Sequence, residues 1–304
     1  MLIRASYWTW KIISGEQIPE PMPTAYLMLD GNCMYNCSYC THARDSLSDN
    51  KFLSRITWKE IDLDSLLSMA HNFRRICFQV VNYNGALKDA KYVVEKVREN
   101  DKDIAISVST RVLDKEDIDA IFESGASNLG IAIDVANSKL HRQYRGWDMD
   151  YTLELIEYGA QKYPNRITTH LIVGLGENDR EIFEIFKKMK ESNVEIALFA
   201  FTPIKGTKLE HAQMPPLERY RKIQILRYIM FEKALLPWVE FDEKGNISRL
   251  LYEESLETLD ITKAFLTSGC KDCTRPFYND RPGNNKEFYN VHSFISEYST
   301  NKNE

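Results

Sequence analysis

The sequence predicts an α/β protein: a partial (β/α)6 TIM-like barrel with a C-terminal extension closing over the barrel mouth. Three observations carry that expectation. Short, apolar, β-branched runs alternate with amphipathic segments, six times over. The runs are apolar on both faces, as strands of a buried parallel sheet are. Beyond the sixth unit the alternation stops and a turn-rich stretch follows.

Taken in order, residues 1–22 hold Tyr7, Trp8 and Trp10 and leave through Pro19, Pro21 and Pro23, which reads as a packed lead-in. Residues 23–236 form the barrel. Its strands are expected at 24–30, 75–81, 104–108, 128–134, 167–173 and 194–201. Thr57, with Glu60 three residues on, reads as a capping box opening a helix over 57–73. Further helices are expected over 86–100, 114–124 (ended by Gly125), 139–143, 150–162, 179–191 and 217–233. Residues 237–304 are the extension: a strand from Trp238, a Gly245-Asn246 turn, a second short strand and a helix over 253–265. The residues after about 299 are expected to be disordered.

Composition is that of an ordinary globular chain, 43% hydrophobic and 27% charged. A net charge of −5 gives no electrostatic case for nucleic acid or an anionic membrane as partner. No apolar run approaches a bilayer span, and Met1-Leu2-Ile3-Arg4 opens no signal peptide, so a cytoplasmic location is expected. Clustered cysteines there bind metal or do catalysis more often than they form disulfides.

Cys33, Cys37 and Cys40 are spaced C-x3-C-x2-C just after the first strand, with Tyr39 before the last of them. Three thiolates on one short loop suit a cubane iron–sulfur cluster with an open iron better than zinc, whose structural sites want four ligands. A zinc knuckle or unrelated thiols is the competing reading. The stretch resembles the cluster loop of radical S-adenosylmethionine (SAM) enzymes. That resemblance implies a 4Fe–4S cluster whose open iron chelates SAM, and reductive cleavage of SAM to a 5′-deoxyadenosyl radical.

Cys270 and Cys273 form a C-x2-C in the extension, and Cys77 lies alone in the second strand. Taken singly, these are a zinc or thiol pair and a small core residue. Taken together, and if the tail folds across the barrel mouth, they would hold a second, auxiliary 4Fe–4S cluster. Ser268, Arg275 or an exogenous sulfide are open candidates for its fourth ligand.

Over residues 24–235 the chain is similar to the biotin synthase branch of the superfamily. Arg75-Ile-Cys77-Phe-Gln resembles the strand whose cysteine ligates an auxiliary cluster there. Ile172-Val-Gly-Leu-Gly-Glu177 resembles the stretch whose first residue packs on the SAM adenine, and Asp134 matches a carboxylate that binds the SAM ribose. Gln79 and Asn82 stand where relatives approach the SAM amino group. Ile204-Lys-Gly-Thr-Lys-Leu209 is similar to the segment after the sixth strand. The branch's two further cluster cysteines are replaced here by Ser107 and Thr168, which leaves Cys270 and Cys273 as candidate replacements.

Residues 268–283, Ser-Gly-Cys-Lys-Asp-Cys-Thr-Arg-Pro-Phe-Tyr-Asn-Asp-Arg-Pro-Gly, are similar to the tail of the two-protein, archaeal-type lipoyl synthases. The implied activity is a sulfurtransferase, thiolating an octanoyl chain on a lipoyl carrier protein or peptide. The implied partners are a second radical SAM protein and an electron donor such as ferredoxin. Competing readings are a biotin synthase-like or non-sulfur radical SAM enzyme, and a non-catalytic iron–sulfur redox protein. His42 and Arg44 flank the cysteine loop as candidate tuning residues, and Arg275 and Arg281 as candidate contacts to an acidic carrier.

Overall fold

The computed structural model describes residues 1–18, 21–54, 56–251 and 260–274. The lead-in is more than packing: it supplies strand β1 (Leu2–Ser6) and helix α1 (Tyr7–Ile13). Strand β2 (Thr24–Leu29) follows, buried along its whole length. Beyond the cysteine loop come β3 (Phe52–Leu53) and β4 (Ile56–Asp62), then a short helix α2 (Leu63–Met69).

The helix expected from Thr57 is therefore a strand, and Asp62 occupies the N-cap position instead. Ile56 and Trp58 are buried, and β4 lies antiparallel to β1 from Leu2↔Asp62 to Ser6↔Trp58. A long-range pairing with the lead-in overrides a local capping signal.

From there strands and helices alternate in the expected order: β5 (Arg75–Gln79), α3 (Ala86–Asn100), β6 (Ala105–Ser109), α4 (Lys115–Glu123) and β7 (Asn128–Gly130), the last only the first three residues of the strand expected over 128–134. After them come α5 (Ser138–Arg145), α6 (Met149–Lys162), β8 (Ile167–Val173), α7 (Asp179–Glu191), β9 (Glu195–Ala200) and α8 (Leu217–Arg227). Side chains cap the starts of α4 to α7: Asp114 accepts from the Asp117 amide, for example, and Asn178 forms a full capping box with Glu181. A π-helical turn over Tyr228–Glu232 ends the last helical stretch.

The result is one curled half-barrel sheet of nine strands, in the order β3-β4-β1-β2-β5-β6-β7-β8-β9. Strands β2 and β5 to β9 pair in parallel, while β1 is antiparallel to both of its neighbours. A separate hairpin, β10 (Trp238–Phe241) and β11 (Ile247–Leu251), docks on the start of α7, where Asp179 accepts from the Ile247 amide at 2.9 Å. Of the helix expected over 253–265, residues 253–259 lie outside the described residues, and Ile261–Phe265 form a 3-10 turn. No helix among the described residues is long and apolar enough to cross a membrane.

The described part of the tail does not close the mouth. Residues 268–274 cross the opposite end of the half-barrel, from its last strand to its first. Ser268 Oγ accepts from the Leu198 amide of the edge strand β9 at 2.9 Å. Arg75 donates to the Lys271 carbonyl, and Thr24 Oγ1 to the Asp272 carbonyl, at 3.0 and 2.8 Å. Thr24 and Arg75 are the first residues of their strands, whereas the cysteine loop leaves the last residue of β2. The physical reason is that β9 has an unpaired edge, and the N-terminal ends of β2 and β5 offer polar side chains that the tail backbone can satisfy.

Candidate active site

At the C-terminal ends of the parallel strands lies a cavity of about 310 Å³. Cys33, Cys37, Cys40 and Tyr39 form one wall, Gln79 and Asn82 a second, Asp134 and Ile172 a third. These eight residues from the sequence reading share one cavity. Parallel strands put their loops at one end, which is why residues so distant in sequence meet.

The cysteine loop hangs on three neighbours. Met34 N donates to Asn82 O at 2.7 Å, Ser38 N to Tyr144 O at 2.8 Å, and Leu209 N to Ser38 O at 3.1 Å. Burial raises the proton affinity of Cys33 and pushes the Cys40 thiol up to about 12. Against that, each sulfur meets a donor. The Tyr35 and Asn82 amides face Cys33, the His42 amide faces Cys40, and Arg111 Nη2 stands 3.6 Å from Cys37 Sγ. Donors at all three sulfurs suit bound thiolates. No three His, Cys, Asp or Glu side chains among the described residues close around one point tightly enough for a single metal ion. A cubane, with each thiolate on its own corner, spreads its ligands wider than one ion does.

Asp134 adopts φ +59°, the left-handed region that aspartate tolerates better than most residues. Its backbone bridges β8: its N donates to His170 O and its O accepts from Ile172 N, both at 2.8 Å. That places the carboxylate and Ile172 side by side on the rim. Tyr39 OH donates to Asp134 Oδ2 at 2.7 Å, and Arg145, at the end of α5, forms an ion pair with the same oxygen.

Arg145 and Arg111 were not visible as site residues in the sequence. Arg111 follows β6 and stacks over Tyr35 at 4.0 Å. Burial and the like charge of Arg145 lower its proton affinity from the usual arginine value. Arg111 Nη1, Arg145 Nε and His42 Nε2 are buried without a partner among the described residues, and all three residues line the cavity. Buried donors left open in a cavity wall fit an anionic ligand such as the carboxylate of an amino acid. Arg44, by contrast, turns to solvent and pairs with Asp45 at 3.1 Å.

A second group lies beneath the cavity floor. Gln79 Nε2 donates to Cys77 Sγ at 3.2 Å, so Cys77 sits one interior layer below the cavity. Its two neighbours in register are Tyr26 on β2 and Ser107 on β6. Each of them reaches a tail cysteine: Ser107 Oγ to Cys270 Sγ at 3.7 Å, and Tyr26 OH to Cys273 Sγ at 3.9 Å. Thr168 lies farther round the arc, opposite Gly130. Ser268 is engaged with β9, and Arg275 and Arg281 lie outside the described residues.

Similarity to known proteins agrees with this picture. The family model described as Radical SAM superfamily matches residues 30–189. A GTP 3',8-cyclase of Limosilactobacillus fermentum is 22% identical over 191 residues, covering 60% of this chain and 55% of that protein. The chain thus spans about half the length of that curated relative. Among solved structures, the [FeFe]-hydrogenase maturase HydG from Carboxydothermus hydrogenoformans superposes with TM-score 0.55 at 16% identity, over 74% of this chain and 56% of its own. Methylornithine synthase (PylB) gives 0.54 at 15% identity, over 75% and 67%. At such identities these structures speak for the fold alone. The family match implies a 4Fe–4S cluster and SAM, and the cavity's thiols, carboxylate and open donors fit both. Matched by that model over more than half of its length, the chain belongs to the radical SAM superfamily.

Proposed function

We propose that this enzyme inserts sulfur: a lipoyl synthase-like component that thiolates an octanoyl chain on a lipoyl carrier, using an auxiliary cluster held by Cys77, Cys270 and Cys273. The observation that carries the reading is the meeting of the tail with the Cys77 layer. The in-register neighbours of Cys77 each touch one cysteine of the C-x2-C, directly below the cavity floor. The six mutually parallel strands are read as its (β/α)6 unit.

When bound, the first cluster and SAM would supply a radical able to take hydrogen from an unactivated C–H bond. The chain's own residues hold and shield the reactants. Cys33, Cys37 and Cys40 hold the cluster, Asp134 and Tyr39 take the ribose side of SAM, and Ile172 packs on its base. Gln79 and Asn82 face the amino end. Apolar Met28, Val80 and Phe199 in the cavity wall keep water from the reacting carbon. The proposed partners are the octanoylated carrier, a second radical SAM protein and a ferredoxin-type electron donor.

The test is anaerobic reconstitution of the full chain with iron and sulfide counting. About eight irons per chain mean two cubanes, and about four mean one. A Cys270→Ala, Cys273→Ala double variant should lose about one cubane's worth of iron, still form 5′-deoxyadenosine, and fail to thiolate an octanoyl-lysine peptide. Wild-type iron with continued thiolation in that variant removes the reading. A non-sulfur radical reaction, the class to which the 22%-identical cyclase lends its support, predicts no thiolated product from either protein.

A further inference from the structure

Arg75 presents a buried charge that its hydrogen-bond partners among the described residues do not neutralise. It is the first residue of β5 and is 9% exposed. Its guanidinium donates to Ser107 Oγ at 2.7 Å, to Asn128 Oδ1 at 3.0 Å and to the Lys271 carbonyl at 3.0 Å. All three acceptors are neutral. A guanidinium stays charged in proteins, and a buried charge without a counter-charge is costly.

The missing anion has an address. Ser107 accepts from Arg75, which leaves its own proton for another acceptor, and its hydroxyl stands 3.7 Å from Cys270 Sγ. The same guanidinium grips the carbonyl of Lys271, the residue after Cys270. Charge and hydrogen-bond direction therefore run from Arg75 through Ser107 to one cysteine of the tail.

We infer that Arg75 and Ser107 are positioning residues for the auxiliary thiol set, supplying the positive charge and the sulfur-directed hydrogen bond that an anionic, thiolate-held cluster requires. The inference rests on the functional reading above and deepens it. Hydrogen bonds to ligand sulfurs and nearby charge stabilise the more negative, reduced state of such a cluster, so they raise its reduction potential. Arg75 acts on occupancy by offsetting thiolate charge, and Ser107 acts on potential through the hydrogen bond to sulfur.

The experiment uses the reconstituted full chain and reads iron content and the midpoint of each cluster by redox titration with electron paramagnetic resonance. Ser107→Ala should keep the iron count, move the auxiliary midpoint to more negative potential and leave the first cluster's midpoint in place. Ser107→Thr, which retains a hydroxyl, should return the midpoint to the wild-type side. Arg75→Met should lower iron from about eight to about four per chain while SAM cleavage persists, and Arg75→Lys should retain more of it. An unmoved midpoint in Ser107→Ala together with full iron in Arg75→Met overturns the inference alone. A wild-type protein with only one cubane overturns the sulfur-insertion reading, and this inference with it.

Discussion

The two sets of cysteines in this protein are built in opposite ways. At the C-terminal end of the strands, Cys33, Cys37 and Cys40 come from one short loop, so their meeting is nearly guaranteed by chain connectivity. At the N-terminal end, Cys77 comes from a strand and Cys270 and Cys273 from the far end of the chain. The tail's approach to the Cys77 layer depends on contacts from the Thr24, Tyr26 and Arg75 side chains and from the Leu198 amide to Ser268. The difference teaches that a local motif fixes its own geometry, whereas an assembled site needs the barrel's base to be polar in the right places.

Glycine shows the same contrast. Above, Gly206 clasps the cysteine loop's extension: a Cβ there would stand 2.5 Å from Ser48 N, and φ is +86°. Below, Gly269 at φ +118° lets the tail lie against Ala197, whose Cβ would be 2.9 Å from an added one. The upper contact is against backbone, which cannot yield, while the lower is mainly against one methyl group.

The comparison is broken most severely at the upper loop. Ala in place of Cys33, Cys37 or Cys40 should abolish 5′-deoxyadenosine formation altogether, measured anaerobically with dithionite as reductant. Undiminished product from any one of the three contradicts the role given to the loop.

The next largest effect is expected at the brace of the upper site. Arg145→Met leaves the Asp134 carboxylate nearly buried without its counter-charge, and should cost about 3 kcal/mol of stability and weaken SAM binding. Chemical denaturation and calorimetric titration with SAM read the two effects separately. A variant as stable as wild type would show that Tyr39 alone holds the carboxylate.

Gly206→Ala should cost about 2 kcal/mol, since both the backbone conformation and the contact with Ser48 oppose a side chain. Denaturant midpoints measure it, and an unchanged midpoint argues that the loop clasp carries no strain.

The smallest effect sharpens the lower half of the comparison. Tyr26→Phe removes the hydroxyl that accepts from the Thr274 amide at 2.7 Å, at about 1 kcal/mol. Hydrogen exchange at Thr274 should quicken while the Cys37 loop exchanges as before. Equal protection in both proteins would mean that the tail is held by its other contacts.

Much of this was readable along the chain. Helices α3 and α7 lie where the pattern put them, over Ala86–Asn100 and Asp179–Glu191, because amphipathic periodicity is plain in both and the Asn178–Glu181 capping box marks the start of α7. Strands β1 and β4 were hidden. Their pairing joins residues far apart in sequence, and Thr57 with Glu60 imitates a helix start that the β1 pairing outweighs. Arg111 and Arg145 were hidden too, since an arginine after a strand or at a helix end has no one-dimensional mark of facing a cavity.

By itself the sequence determined the parallel α/β architecture and the C-x3-C-x2-C loop at the end of its first barrel strand. Both are encoded by neighbours: residue periodicity for the elements, and spacing within a single loop for the thiols. Only the tertiary structure decided which end of the half-barrel residues 268–274 would cover. A C-x2-C carries no direction, and the choice falls to the open edge of β9 and the polar side chains of Thr24, Tyr26 and Arg75, which satisfy the tail's backbone at the base rather than at the mouth.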